Sequence, residues 1–165
     1  MQKADTLLRS WRGLVLFIVP LLVIVADQLT KNLWIRTYPE GHLIYKLGFI
    51  RIVHVQNTGS AFGIFQDQSF ILTIVAIVGV TVILSILLFL RSRFQFLRTM
   101  PNLIGLSLML AGSTGNLIDR LTVGHVTDFL DVGFWPVFNI ADSSLVIGEI
   151  IIAYSLLRLA LAKKD

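Results

Sequence analysis

Four predominantly apolar stretches, each eighteen residues or longer, are set apart along the chain by segments where charged and turn-forming residues collect. A helix rises about 1.5 Å per residue and needs about 20 apolar residues to cross the roughly 30 Å hydrocarbon core of a bilayer. The stretches at about 13–34, 69–90, 101–118 and 137–157 therefore predict four transmembrane helices. The first carries Pro20 and Asp27, and the second has no charged residue. Between the first two the pattern changes: Leu47-Gly-Phe-Ile-Arg-Ile-Val-His-Val55 is rich in β-branched residues and predicts one or two short strands. Asn57-Thr-Gly59 then reads as a turn. No internal repeat, low-complexity tract or linker interrupts residues 1–165, so the chain reads as a single membrane-embedded domain. The fold class expected is an all-α integral membrane protein of four transmembrane helices with a small extracytoplasmic β element.

Composition supports the spans. Hydrophobic residues make up 55% of the chain, charged residues 15%, and the mean hydropathy is +0.80, whereas a soluble domain carries about 25% charged residues. A net charge of +4 and a pI near 9.8 would suggest nucleic-acid binding in a soluble protein. Here the basic residues stand in short runs beside apolar segments, which is a topology signal, and no nucleic-acid partner is expected. Lys3, Arg9 and Arg12 precede the first span; Arg91, Arg93 and Arg98 fill the loop between the second and third; Arg158, Lys163 and Lys164 end the chain. Nine of the fourteen Lys and Arg residues thus mark one side, which places both termini in the cytoplasm and leaves about 35–68 and 120–136 outside. The first span differs from a cleaved signal peptide, because Asp27-Gln-Leu-Thr-Lys31 follows its apolar run instead of a small-residue cleavage site. With no cysteine, disulfides, thiolate catalysis and Cys-ligated metals are excluded. His42, His54 and His125 show no metal-ligand spacing, so neither metal nor cofactor is expected.

The polar residues inside the spans lie at one depth. Asp27 is fifteen residues after Arg12 and Asn116 fifteen after Pro101, each about 22 Å from the cytoplasmic boundary; Asp142 is sixteen before Arg158, about 24 Å. Intramembrane ionisable groups are costly and need a partner or a function. Asn116, Asp119 and Arg120 share one helix face by spacing, as do Asn139 and Asp142, while Asp27 and Lys31 are placed to pair within their own helix. All of these could be self-satisfied pairs at helix ends, and Arg120 is also placed to hold a carboxylate. Asp128 and Asp131 sit in the loop Gly124-His-Val-Thr-Asp-Phe-Leu-Asp131, where they could be plain solvated acids. Phe129, Leu130, Phe134 and Trp135 press this loop toward the membrane interface, which would desolvate a carboxylate there and raise its pKa.

Two carboxylates in a partly dry site share one proton and can activate water while protonating the departing group. The same acids would also serve a small proton-coupled transporter or a membrane scaffold, so enzyme, transporter and scaffold all stay open on these residues. A serine nucleophile is disfavoured: Ser113, Ser143 and Ser144 are near the right level, but the only lysine in a span is Lys31, close to Asp27. Glu149 lies about 10 Å deeper than Asp142 and reads as a structural acid bonded to a neighbouring helix, or as a proton relay. Gly105, Gly112 and Gly115 predict close helix packing.

Five blocks in order resemble the lipoprotein signal peptidases (signal peptidase II): Asp27-Gln-Leu-Thr-Lys31, Asn57-Thr-Gly-Ser-Ala-Phe-Gly63, Ala111-Gly-Ser-Thr-Gly-Asn-Leu-Ile-Asp-Arg120, Gly124-His-Val-Thr-Asp-Phe129 and Phe138-Asn-Ile-Ala-Asp-Ser143. Ala111 and Ser60 stand where the family often has Gly and Ala, and both remain small. The resemblance implies an aspartic endopeptidase of the bacterial inner membrane that cuts diacylglyceryl-modified prolipoproteins before the lipidated cysteine, close to the outer face. It implies a catalytic pair at Asp128 and Asp142, supported by Asp27, Asn57, Asn116, Asp119, Arg120 and Asn139, and assigns no role to Asp131. The expected partners are the prolipoprotein substrate and membrane lipid, with a monomer as the default state.

Overall fold

Helix α1 (Gln2–Leu33) leads through a short 3-10 turn at Ile35–Thr37 into strands β1 (Leu43–Leu47) and β2 (Ile50–Asn57). Helix α2 (Ser69–Ser85) is continued by a wider π-type turn at Ile86–Leu90, and α3 (Met100–Val123), β3 (Val126–Asp131) and α4 (Ile140–Leu161) follow. The structure is a computed structural model and describes residues 2–59 and 68–162, without the side chains of 2–10 and 12. Ser60-Ala-Phe-Gly63 of the second motif, Lys163 and Lys164, and the side chains of Lys3, Arg9 and Arg12 lie outside the described residues.

Three helical segments are long and apolar enough to cross a membrane: Gly13–Thr37, Ser69–Leu90 and Ile140–Leu161. Helix α3 is not among them, because Asn102, Asn116, Asp119 and Arg120 lower its apolar content. It is the central helix: α1, α2 and α4 all pack on it, α4 most extensively, so its polar side chains face protein. It begins with Pro101 in its first turn, where the missing N–H has no helical partner to lose. It ends at Gly124, whose φ of +83° is the left-handed cap that glycine adopts without strain. The helix therefore runs past the expected end near residue 118 and carries Asp119 and Arg120 as helical residues.

Glycines bring α3 and α4 together. A Cβ on Gly112 would be driven into Ala141 O and lie 2.8 Å from Ser144 Oγ, and one on Gly148 would lie 2.5 Å from Gly105 O. Gly105 and Gly112 act as the sequence predicts; Gly148, opposite Gly105, completes the contact from the α4 side. Gly115 admits both α4 and α1, since a Cβ there would lie 3.0 Å from Ala141 Cβ and 3.0 Å from Asp27 Oδ2.

The sheet is antiparallel, in the order β1-β2-β3, and caps the end of the bundle where α1 and α3 finish and α2 and α4 begin. The strand-prone stretch from Leu47 to Val55 forms the hairpin turn and most of β2, while β1 lies almost wholly ahead of it. Residues Val126–Asp131, read from sequence as a loop, are instead a strand: Asn57 pairs with Val126, Gln56 with Thr127 and Val55 with Asp128. Its partner lies some seventy residues earlier, so no local pattern announces the pairing. Helix α4 starts at Ile140 rather than near 137, because Asn139 forms its N-cap.

Candidate active site

The end of α4 sets the site's geometry. Asn139 Oδ1 accepts from the Asp142 N–H at 2.8 Å, and Asp142 Oδ2 accepts from the Asn139 N–H at 3.2 Å, a reciprocal capping box. The cap fixes the Asp142 carboxyl at the helix N-terminus, where backbone N–H groups favour negative charge. Its other oxygen accepts from Asn116 Nδ2 on α3 at 2.6 Å.

Asp128 comes from the other direction, in the middle of β3, and is only 2% exposed. Its Oδ2 accepts from Asn57 Nδ2 at the end of β2 (2.8 Å) and its Oδ1 from Asn139 Nδ2 (2.7 Å). Asn139 also donates to Asn116 Oδ1 at 3.1 Å. One asparagine thus touches both aspartates, by its amide toward Asp128 and by its backbone toward Asp142. Burial pushes the Asp128 carboxyl up to about 7, and the neighbouring charge of Asp142 adds to the effect; the bonds from Asn57 and Asn139 oppose it.

Beneath this pair lies a second set of ionic groups, all on α1, α3 and the turn after α1. Lys31, wholly buried, pairs with Asp27 Oδ2 at 2.8 Å in its own helix and with Asp119 Oδ2 at 3.0 Å on α3, and donates to Asn116 Oδ1 at 3.3 Å. Arg36 pairs with Asp119 Oδ1 at 2.8 Å. The backbone N–H groups of Thr127 and Ala141 donate to Asp119 and Asp27 at 3.0 Å each. Two cations against two carboxylates leave the set neutral, and the two backbone bonds tie it to β3 and to the first turn of α4. Asp27 and Asp119 thereby position the elements that carry Asp128 and Asp142. The Asp27–Lys31 pair expected from spacing is present, and Lys31 reaches across to α3 as well.

Arg36 and Gln28 were not singled out from sequence. Gln28 Nε2 donates to Asp119 Oδ1 at 3.1 Å and to Gly115 O at 3.2 Å. A clue to Gln28 was its place within the Asp27–Lys31 block; nothing around Arg36 gave one. Arg120 is half-buried, donates to Asn116 O at 3.5 Å, and has no ion pair among the described residues. It faces the cavity that Asp128 and Asp142 also line. Asp131 turns elsewhere, pairing with Arg51 across the sheet at 2.8 Å. No group of three or more His, Asp or Glu side chains among the described residues is arranged to hold a metal ion.

The cavity has a volume of about 600 Å³ and is lined mainly by apolar side chains from α2, from α4 and from Trp135 to Phe138 ahead of it, while α3 contributes mostly polar ones. Both α2 and α4 pack chiefly on α3 rather than on each other, so the cavity lies between them with α3 as its floor. Asn57, Asn116, Arg120, Asp128 and Asp142 gather at its sheet-covered end.

Apolar helices around a polar central one, with a buried and a half-buried acid at one end of an apolar cavity, fit a membrane-embedded enzyme. A solved structure described as a bacterial membrane enzyme matches with a TM-score of 0.79 and 31% identity, covering 91% of this chain and 92% of that one. The profile of the Signal peptidase (SPase) II family matches residues 19–158. A lipoprotein signal peptidase of Dehalococcoides mccartyi is 47% identical over 139 residues, 84% of this chain and 86% of its own length. The corresponding protein of Moorella thermoacetica is 38% identical over 141 residues, 85% and 91% of the two chains. This chain belongs to the lipoprotein signal peptidase (signal peptidase II) family, a family of bacterial membrane proteases.

Proposed function

We propose that the protein is a single-domain aspartic endopeptidase of the bacterial inner membrane that removes signal peptides from diacylglyceryl-modified prolipoproteins, cutting before the lipidated cysteine. The observation that carries this reading is the convergence of Asp128 and Asp142, from a strand and a helix cap, on one cavity, with Asn139 bonded to both.

With one proton shared between them, the ionised carboxylate takes a proton from water while the protonated one gives its proton to the scissile carbonyl oxygen. The hydroxide adds to the carbonyl carbon and forms a tetrahedral diol. Collapse of the diol breaks the C–N bond as a carboxyl proton passes to the departing cysteine amine. Asn57, Asn116 and Asn139 keep both carboxyls facing the cavity, and Arg120, without an ion pair among the described residues, holds a carbonyl of the substrate backbone. Helix α3 is the fourth membrane crossing, its polar groups shielded by its three neighbours. The basic residues place both termini in the cytoplasm and the sheet and aspartates at the outer face. A lipid-modified cysteine anchored in the outer leaflet presents its scissile bond at that level, with its acyl chains in the cavity between α2 and α4.

The test is cleavage of a diacylglyceryl-modified prolipoprotein by the purified chain beside folded Asp128→Asn and Asp142→Asn variants. Cleavage by the parent and loss of about 10²-fold or more in both variants is the expected result. A variant that still cuts at the parental rate removes that residue from the dyad. An intact parent that cuts no lipidated substrate returns the protein to the transporter or scaffold reading.

A further inference from the structure

Among the described residues, Glu149 is the only acid on the cavity wall away from the aspartates. It lies seven residues beyond Asp142 on α4, about 10 Å further from the sheet. The cavity residues from α2 and α3 at that depth, Val82, Ile83 and Met109, are apolar, as are Leu145 and Val146 on its own helix. The bond to a neighbouring helix expected from sequence is absent: among the described residues Glu149 has no hydrogen-bond or ion-pair partner. Glu149 is itself exposed, and an acid at membrane depth that lines a cavity with no partner among the described residues marks a functional position, with its partner in whatever fills the cavity.

We infer that Glu149 is a specificity-determining residue that reads a hydroxyl-bearing side chain of the bound signal peptide, about two helical turns before the scissile bond. The inference rests on the proposed peptidase activity and adds a recognition element to it. Two parts of such a substrate would enter the cavity. The ester oxygens of the diacylglyceryl group lie a few bonds from the cysteine sulfur, hence at the level of the aspartates, and deeper down the acyl chains offer only hydrocarbon. The signal peptide also descends from the scissile bond, as a helix rising about 1.5 Å per residue, so its residue seven positions before the bond reaches the depth of Glu149. Of the two, only the peptide can present a hydrogen-bonding group there.

The experiment uses the full chain and diacylglyceryl-modified prolipoproteins in which a single serine is moved through positions five to nine before the lipidated cysteine, in an otherwise leucine background. The parent is expected to show a KM about threefold to tenfold lower with serine near position seven, the worth of one hydrogen bond, with the difference in KM rather than kcat. Glu149→Ala flattens the profile and Glu149→Gln, which still hydrogen-bonds, keeps its peak. A flat profile in the parent, or the same peak in Glu149→Ala, overturns the assignment while leaving the peptidase reading intact. Failure of the parent to cut any of these substrates sinks the peptidase reading and this inference with it. A readout independent of turnover follows from the absence of cysteine in the chain: in an Asp142→Asn background and with an added thiol oxidant that takes up the two electrons, Glu149→Cys is expected to form a disulfide with a cysteine placed at position seven of the signal peptide and not with one at position two.

Discussion

Asp128 owes its chemistry to where the strand buries it. A carboxyl pushed up to about 7 holds its proton below that pH and releases it above, so a dyad that needs one shared proton loses activity as pH rises through about 7. On the acid side the second carboxylate also protonates and no base remains. The rate of prolipoprotein cleavage is therefore expected to follow a bell whose alkaline limb has its midpoint near 7, and a rate that stays flat to pH 9 would contradict the assignment. Lys31 tests the ionic set beneath. Its replacement by methionine leaves Asp27 without a cation and Asp119 with Arg36 alone, which is expected to cost about 3–5 kcal/mol, read as a lower unfolding midpoint in detergent.

At the scale of elements, the α3–α4 contact decides whether the asparagines and aspartates meet. The atoms facing Gly112 include the carbonyl of Ala141 and the N–H of Leu145, backbone groups that cannot swing aside. Gly112→Ala is expected to force the helices apart, at about 1–3 kcal/mol, and to lower turnover by drawing Asn116 away from Asp142. Gly13→Ala, where nothing lies within 4 Å, serves as the control and is expected to be neutral or slightly stabilising. The cap at the start of α4 is equally exposed to test. Asn139→Ala removes an N-cap worth about 1 kcal/mol and also the amide bonded to Asp128, so its effect on activity should far exceed its effect on stability, as thermal unfolding measured beside cleavage would show.

For the whole molecule, the proposed topology puts the Arg91–Arg98 loop and the sheet on opposite faces of the membrane. The cysteine-free chain makes this directly measurable. A cysteine replacing Arg93 is expected to resist a membrane-impermeant thiol reagent in intact cells, and one replacing Phe134, 84% exposed, to react with it. Reaction of both from outside would mean that α3 does not complete a crossing and that the molecule sits differently in the bilayer.

The chain's one-dimensional pattern determined the apolar helices, because burial in hydrocarbon rewards an unbroken run of apolar residues wherever it falls. It also put Asp27, Asn116 and Asp142 at matching turns of their helices, since helical rise converts position into distance along the axis, and the five motif blocks carried the family. Asn116 and Asp142 do meet, and Asp27 meets Lys31 as spacing required. Tertiary structure decided the rest. The strand that buries Asp128 exists only because β2 is there to pair with it, and a hydrogen-bonded partner seventy residues away leaves no trace in local periodicity. Asn139 could be placed near Asp142 by spacing, but its bond to Asp128 depends on β3 crossing the α4 cap. Arg36 entered the ionic set, and Glu149 found no partner among the described residues, through the way α1 and α4 pack on α3, which no count of residues along one helix contains.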